Sequence, residues 1–191
     1  MKRLGCALLL AGCSLGMPAQ VPAQGVHSYG DWISGRADDS SYFYAATESA
    51  SGDVLGKFCY PGQNVCRWIL AMKLRCRTGS TEVALFNSRQ GAVSHELTCG
   101  GPYRGEGAML YRYIIHDPED IDNRVAANHG MLGIAYPLQD GGFQADHFSM
   151  HGALPALSAS LAAAAAARRR AQPTPPAQSS RRGQRSAPGT F

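Results

Sequence analysis

The stretch VLGKFCYPGQNVCRWIL, residues 54–70, predicts the best-defined element of this 191-residue chain. Apolar and aromatic residues lie on both sides of a turn at 61–64, which contains proline, glycine and asparagine. Strand-forming residues on either side of such a turn are typical of a β-hairpin. Cys59 and Cys66 face one another across this hairpin, so their Cα atoms can approach to the ~5.5 Å that a disulfide requires. We therefore predict a hairpin closed by a Cys59–Cys66 disulfide.

The amino terminus has the pattern of an export signal. Lys2 and Arg3 precede an apolar run at 4–15, and a small-residue stretch follows that ends with Ala23. A basic start, a short apolar segment and a small-residue cleavage site are typical of a secretory signal peptide. We predict that residues 1–23 are removed and that the protein is periplasmic or secreted.

An alternative fate of this leader stays open. Residues 10–13, Leu-Ala-Gly-Cys, fit the lipobox pattern, in which Cys13 becomes the acylated first residue of an outer-membrane lipoprotein. Both alternatives export the rest of the chain. No other run approaches the ~18–20 apolar residues of a membrane-spanning helix, so we expect no transmembrane segment.

Export leaves four cysteines in the body of the protein, and an oxidising compartment favours disulfides. With Cys59 assigned to Cys66, Cys76 pairs with Cys99 by elimination. Zinc sites and redox-active pairs favour a Cys-x-x-Cys spacing, which the sequence does not contain. Structural disulfides are therefore favoured over a metal site or a redox switch, and the sequence indicates no cofactor.

Residues 24–154 predict a single, mainly β domain. Most segments alternate apolar and polar residues with period two and are separated by Gly, Asn, Asp or Ser turns. Short strands with frequent turns favour a β-sandwich or a small barrel. The predicted strands cover residues 31–34, 42–47, 54–60, 65–74, 82–86, 94–99, 109–115, 131–137 and 143–150.

One short helix is predicted between these strands. Asp117 is a helix N-cap residue, Pro118 suits the first helical position, and acidic residues follow in the first turn. Ile121 and Val125 then follow at helical spacing. The acidic run DPEDID at 117–122 lacks the glycine and the final glutamate of a calcium-binding EF-hand loop, so a helix start is favoured over a calcium site.

The carboxyl-terminal part differs in composition. The alanine-rich residues 155–170 predict a helix or a linker, and the Pro-, Ser- and Arg-rich residues 171–191 predict a disordered tail. Residues 24–167 contain ten Lys or Arg against fourteen Asp or Glu, whereas residues 168–191 contain six Arg and no acid. These arginines can contact anionic surfaces. Sequence-specific nucleic-acid binding is not expected, because no aromatic residues interleave them.

Several motifs resemble a known group of exported proteins. Gly30-Asp31-Trp32, the segment 55–68, GIAYPL at 133–138 and FQADHFSMHGA at 143–153 resemble small uncharacterised exported proteins of proteobacteria. Over residues 29–154 the chain is also distantly similar to the invasion-associated locus B family, whose members are periplasmic β-rich domains with a Gly-Asp-Trp start and cysteine pairs. The resemblance implies a disulfide-bonded β domain outside the cytoplasm and supplies no catalytic residue.

A histidine-rich segment is the candidate for metal or acid–base chemistry. His147 and His151 are four residues apart, and Asp146 and His116 are the residues that would join them around a metal. In a strand, however, the apolar residues between the two histidines are expected to point inward and the histidines to face water. Metal binding at these residues stays the lesser alternative.

Tyr103 and Arg104 are the candidate binding residues. They lie in the glycine-rich stretch CGGPYRGEGAM at 99–109, which lacks the lysine and serine or threonine of a phosphate loop and predicts a hairpin loop. Tyrosine and arginine are enriched at binding hot spots. The sequence also lacks the Gly-x-Ser-x-Gly motif of nucleophilic hydrolases.

These patterns favour a non-enzymatic binding or structural domain of the bacterial cell envelope. Its expected partner is an unidentified protein or envelope component. The alternative is a hydrolase with a site at His116, Asp146, His147 and His151.

Overall fold

A computed structural model describes residues 25–104, 108–138 and 140–172. The predicted signal peptide, Cys13 and the tail from residue 173 onward lie outside the described residues. Ten strands are present in this part of the chain: β1 His27–Tyr29, β2 Trp32–Arg36, β3 Phe43–Glu48, β4 Val54–Tyr60, β5 Val65–Met72, β6 Thr81–Ser88, β7 Gly91–Arg104, β8 Met109–Ile115, β9 Met131–Pro137 and β10 Phe143–Ser149. The helices are α1 Pro118–Ala127 and α2 Ala153–Ala171, and a short 3-10 turn covers Pro61–Gln63.

The strands form one antiparallel sheet in the order β1-β2-β3-β4-β5-β8-β7-β6-β9-β10. No strand pairing joins β1 to β10 among these residues, so the sheet is not closed. Its two ends nevertheless meet, because the amide of Asp31 donates to the carbonyl of His151 at 3.0 Å. The indole of Trp32 likewise donates to the carbonyl of Ser149 at 2.7 Å. The mainly β fold expected from the sequence is confirmed, as a single curled sheet around one core.

The hairpin at 54–70 forms as predicted. Cys59 of β4 lies directly opposite Cys66 of β5, and the two are joined by a disulfide with a Cα separation of 4.0 Å. The second predicted bond, Cys76–Cys99, is also present, with a Cα separation of 6.0 Å. Asn64 completes the turn in the left-handed conformation at a φ of 52°, which asparagine tolerates better than most residues.

Aromatic and aliphatic side chains from all parts of the sheet fill the core. Trp32 and Trp68 are fully buried and meet edge to face, with ring centroids 6.3 Å apart. This geometry is favoured because the positive edge of one ring meets the negative face of the other. Other members of the core are Leu55, Leu70, Met72, Phe86, Leu97, Tyr113, Leu132, Ile134, Tyr136 and Phe148.

Helix α1 begins as its sequence predicts, since the side chain of Asp117 accepts a hydrogen bond from the amide of Asp120 and Pro118 follows it. The helix is attached to the central hairpin through Asp122. This carboxylate accepts hydrogen bonds from the indole of Trp68 at 2.9 Å and from the ammonium of Lys57 at 2.7 Å. An unpaired buried donor is costly. The buried donors of Trp68 and Lys57 therefore both need the acceptor that Asp122 provides.

The alanine-rich segment forms helix α2, which packs against the sheet beside β2 and β3. Its buried face consists of small residues and one leucine: Ala153, Ala156, Leu157, Ser160 and Ala164. Small side chains allow a helix to approach a sheet closely, so this segment belongs to the core although its sequence shows little amphipathic pattern. The helix starts at Gly152, whose φ of 91° favours glycine.

The structure differs from the sequence prediction at two strands. β1, His27–Tyr29, was not predicted, because three residues carry too little alternation to be recognised. β7 is longer than the predicted strand at 94–99 and continues to Arg104 through a bulge between Cys99 and Gly101. The first part of the stretch predicted as a hairpin loop is therefore strand. The bulge explains the glycines, since Gly101 has a φ of 90°.

Candidate binding surface and buried acid pair

Tyr103 lies in the bulged extension of β7, opposite Leu110 of β8, and is 42% exposed. Arg104 is the next residue and pairs with Met109. The prediction placed both residues in a loop, whereas both belong to strand β7. A strand fixes the direction of a side chain more firmly than a loop does, so Tyr103 is held at a defined place beside strand β3.

Tyr103 is hydrogen-bonded to Tyr42, and Tyr42 belongs to a group of four aromatic side chains. We call these four and Tyr103 the tyrosine cluster: Tyr42, Tyr44, Phe58, Tyr60 and Tyr103. Tyr42 is at the centre, with ring centroids 5.5 Å from Tyr60, 5.6 Å from Phe58 and 6.2 Å from Tyr44. Tyr44 and Phe58 are stacked at 6.0 Å. These separations are within the range of favourable aromatic contacts.

The tyrosine cluster lies on the face of the sheet that points away from the core. Tyr44 stands directly opposite Phe58 in the β3–β4 ladder. Their chain neighbours Ala45 and Cys59 are buried in the core, and successive side chains of a strand point to opposite faces. The cluster is therefore a half-buried aromatic surface with tyrosine hydroxyl groups.

The hydroxyl group of Tyr42, at the centre of this surface, remains protonated at neutral pH. Burial raises the pKa of Tyr42 to about 12, and the neighbouring hydroxyls of Tyr103 and Tyr60 add to the increase. Tyr42 and Tyr103 are also joined by a side-chain hydrogen bond. Neutral phenol groups can both donate and accept hydrogen bonds, which suits recognition of a partner that has an apolar body and polar groups.

Charges of opposite sign flank the tyrosine cluster. Asp38 and Asp39 are exposed in the β2–β3 turn that leads to Tyr42. Arg67 is exposed on β5, directly opposite Phe58. Because the strand order is β2-β3-β4-β5, the acidic residues and the arginine lie on opposite sides of the cluster.

A second polar arrangement lies inside the domain and joins distant parts of the chain. Asp53, before β4, and Asp146, in β10, are 1% and 6% exposed. Both carboxyl groups contact the hydroxyl of Tyr136 in β9, at 3.2 Å and 3.0 Å respectively. We call these two carboxyl groups the acid pair.

Surrounding donors satisfy most of the oxygen atoms of the acid pair. Asp146 accepts hydrogen bonds from the hydroxyl groups of Ser51 and Ser49, the latter at 3.2 Å, and from the amide of Gln144 at 3.3 Å. Asp53 accepts one from the backbone amide of Lys73 at 3.2 Å. Asp146 therefore receives more hydrogen bonds than Asp53.

Because of this difference, the pKa values of the two carboxyl groups shift in opposite directions. Burial raises the pKa of Asp53, and the nearby carboxylate of Asp146 raises it further. Burial acts in the same direction on Asp146, but hydrogen bonds from Ser51 and Tyr136 hold the pKa of Asp146 below its usual value. One proton on Asp53 and one negative charge on Asp146 is the favoured arrangement, since two like charges in contact cannot both be stable there.

The four residues predicted as a possible metal or hydrolytic site do not converge. Asp146 is buried in the acid pair, whereas His147 is exposed on the opposite face of β10. His116 bonds the hydroxyl of Thr98 at 2.7 Å, and His151 lies 3.7 Å from Asp31. Within the residues that the structure describes, no three His, Cys, Asp or Glu side chains are grouped to hold a metal ion.

Sequence reasoning did not identify Asp53 or the tyrosine cluster. Asp53 lies in the Ser-Gly-Asp stretch at 51–53, which is typical of a turn, and no local signal connects it with a carboxylate in β10. The cluster had a signal, because aromatic residues alternate at 42 and 44 and again at 58 and 60. This alternation predicts an aromatic face on two neighbouring strands.

A small pocket of about 110 Å³ lies beside the acid pair, at the same end of the sheet. Tyr113 and Tyr136 line it, and both hydroxyl groups already have partners within the protein. Tyr113 donates to the carbonyl of Leu74 at 3.2 Å, and Tyr136 contacts the acid pair. A volume of this size holds only a few water molecules.

A comparison with solved structures gives a distant match. The crystal structure of invasion associated protein B from Bartonella henselae matches with 12% sequence identity and a TM-score of 0.48, covering 72% of this chain and 96% of that chain. No site residue is carried over from it. No protein-family model matches the sequence, and no curated protein matches it. None of the helices in the described part of the chain is long and apolar enough to cross a membrane.

Proposed function

We propose that this protein is an exported, non-enzymatic binding domain of the bacterial cell envelope, and that the tyrosine cluster is its binding surface. One observation carries the proposal: Tyr103, from the bulged extension of β7, hydrogen-bonds Tyr42, which is the centre of an outward-facing aromatic group with Tyr44, Phe58 and Tyr60. Aromatic residues with polar tips are enriched where proteins bind partners.

The two disulfides support a binding function outside the cytoplasm. Cys59–Cys66 lies next to Phe58 and Tyr60 and restrains the hairpin that carries them. Cys76–Cys99 restrains the segment just before the bulge that places Tyr103. A surface fixed in advance loses less conformational entropy when it binds, which increases affinity.

The test uses the purified mature chain, beginning at residue 24, and an envelope fraction of the source bacterium. Retention of the chain on the envelope fraction is measured for wild type, for Tyr42→Ala and for Tyr103→Ala. Loss of an aromatic anchor at the centre of an interface costs about 2 kcal/mol or more, so retention is expected to fall at least roughly tenfold.

Phe143→Ala is the matched control. Phe143 is an aromatic residue on β10, 75% exposed and outside the tyrosine cluster, so its removal should leave retention unchanged. No retention of the wild-type chain, or equal retention of all variants, would contradict the proposal.

A further inference from the structure

The ring of Tyr44 lies flat against the sheet. Gly35 of β2 stands directly opposite Tyr44 in the β2–β3 ladder. A Cβ atom added to Gly35 would lie 2.8 Å from the hydroxyl oxygen, 2.9 Å from Cζ and 3.2 Å from Cε1 of Tyr44. Such similar distances require the face of the ring, and not its edge, to cover the glycine. Because Tyr44 is only half-buried, the opposite face of its ring points away from the sheet toward solvent.

Phe58 extends this flat surface, and Tyr42 bounds it. The half-buried ring of Phe58 has its centroid 6.0 Å from that of Tyr44 and is tilted from it by only 23°. The ring of Tyr42 is steeper, at 57° to Tyr44 and 61° to Phe58. Two nearly parallel rings thus form a floor, and a third ring stands beside them as a wall that carries a hydroxyl group.

The charges beside the cluster restrict the kind of ligand that this surface suits. Asp38 and Asp39 are exposed on the β2 side, and Arg67 is exposed on the β5 side. A charged ligand is attracted on one side of the cluster and repelled on the other. A neutral ligand with hydroxyl groups avoids this conflict, because the carboxylates accept its hydrogen bonds and the guanidinium donates to its oxygen atoms.

We infer that the tyrosine cluster binds a neutral saccharide, with one pyranose ring stacked on Tyr44 and Phe58. In a pyranose whose hydroxyl groups are equatorial, C–H groups occupy the two faces of the ring and the hydroxyl groups point outward. Such a ligand presents an apolar face to the aromatic floor and polar groups to the hydroxyl of Tyr42 and to the flanking charges. The inference rests on the proposed function, because it names the class of envelope component that the same surface would bind.

The flat floor favours a saccharide over a proline-rich peptide. Proline-rich peptides dock in grooves that aromatic side chains line. Here the ring of Tyr44 lies down on Gly35, and the ring of Phe58 is nearly parallel to it, so the two rings present their faces to a ligand. The adjacent Cys59–Cys66 disulfide restrains the strand that carries Phe58. Stacking on a surface that is fixed in advance costs little conformational entropy.

Calorimetric titration of the mature chain, beginning at residue 24, with cellotetraose and with chitotetraose tests the inference. Both probes are neutral oligosaccharides with equatorial linkages, and at least one is expected to bind. Saturation-transfer NMR should place the C–H protons of a pyranose face closest to the protein. Tyr44→Phe keeps the ring and should bind within about threefold of wild type, whereas Tyr44→Leu keeps apolar bulk without the ring and should lose affinity at least roughly tenfold.

Phe143→Leu is the matched control, because Phe143 is an exposed aromatic residue of β10 outside the tyrosine cluster. Its affinity should equal that of wild type, and circular dichroism and intact disulfides verify that each variant is folded. A proline decamer is titrated in parallel. Binding of neither oligosaccharide, binding of the peptide alone, equal affinities of Tyr44→Phe and Tyr44→Leu, or an equal loss in Phe143→Leu would each overturn the inference.

The saccharide inference and the proposed function can fail separately. Retention on the envelope fraction that depends on Tyr42, without binding of either oligosaccharide, would overturn only the saccharide inference. Saccharide binding without retention on the envelope fraction would overturn only the envelope function.

Discussion

Tyr136 donates its hydroxyl hydrogen to Oδ2 of Asp146, 3.0 Å away on the neighbouring strand. The same hydroxyl lies 3.2 Å from Asp53, and one hydroxyl has only one hydrogen to donate. The carboxyl group of Asp53 does not receive this hydrogen and therefore has to carry a proton of its own. This relationship connects the turn before β4, an interior strand of the sheet, to strands β9 and β10 at one end of the strand order.

The acid pair predicts a loss of stability as pH rises. Asp53 has a raised pKa in the folded protein, so its contribution is complete below the unfolded value of 3.8 and is lost as pH rises through the folded value. Asp53→Asn keeps a polar group of the same shape and removes the titration. We expect the free energy of unfolding of the wild type to fall relative to this variant above pH 3.8, by about 1.4 kcal/mol for each unit of the pKa increase.

Urea denaturation at a series of pH values measures this difference. The contribution of Asp146 to stability depends on pH in the opposite direction. Its lowered pKa gives stability above pH 3.8, and this stability is lost as pH falls through the folded value. Asp39→Asn, at a fully exposed carboxylate, is the control and should follow the wild type above pH 3.8. Parallel curves for wild type and Asp53→Asn would refute a protonated Asp53.

Gly152 should not tolerate a side chain. Its φ is 91°, and an added Cβ would overlap the backbone carbonyl of Tyr29, which cannot move without displacing β1. Gly79 has a similar φ of 84°, but nothing lies within 4 Å of its added Cβ. Both alanine variants suffer backbone strain of ~1–2 kcal/mol, and Gly152→Ala should lose at least about 2 kcal/mol more. Chemical denaturation of the two variants measures the difference, and equal losses would mean that β1 adjusts freely.

The two disulfides should stabilise the fold unequally. In the chain-entropy model a loop of about 8 residues restricts the unfolded state by roughly 2.5 kcal/mol and one of about 24 by roughly 3.5 kcal/mol. Removing Cys76–Cys99 by paired serine substitutions should therefore destabilise the protein more than removing Cys59–Cys66. Denaturant midpoints of the two variants test the order, and the reverse order would show that native contacts outweigh loop length.

The predicted export determines which amino terminus and which disulfides we expect in the mature protein. Mass spectrometry of the protein from the source bacterium should show an amino terminus at Gln24, because the leader ends with the cleavage pattern at Ala23. An acylated Cys13 would instead establish the lipoprotein alternative. Non-reducing peptide mapping of the same sample should recover both disulfides, and four free thiols would contradict export.

Local sequence was sufficient for the features that neighbouring residues specify. The turn at 61–64 and the flanking strands predicted the hairpin and its disulfide, because register follows from a short turn. The Asp117-Pro118 start predicted helix α1, because capping depends on adjacent residues. Alternation predicted most strands and the mainly β class.

Only the tertiary structure decided which distant residues meet. Asp53 and Asp146 are 93 residues apart, and they meet at the hydroxyl of Tyr136 because the curl of the sheet brings β9 and β10 close to the turn before β4. The tyrosine cluster required the bulge in β7 to place Tyr103 against Tyr42. Strand alternation fixes which face of the sheet a side chain occupies. The neighbours of that side chain depend on strand order and sheet curvature, and both of these result from packing the whole core. For this reason the sequence determined the class of fold and its two disulfides, whereas the acid pair and the complete tyrosine cluster appeared only in three dimensions.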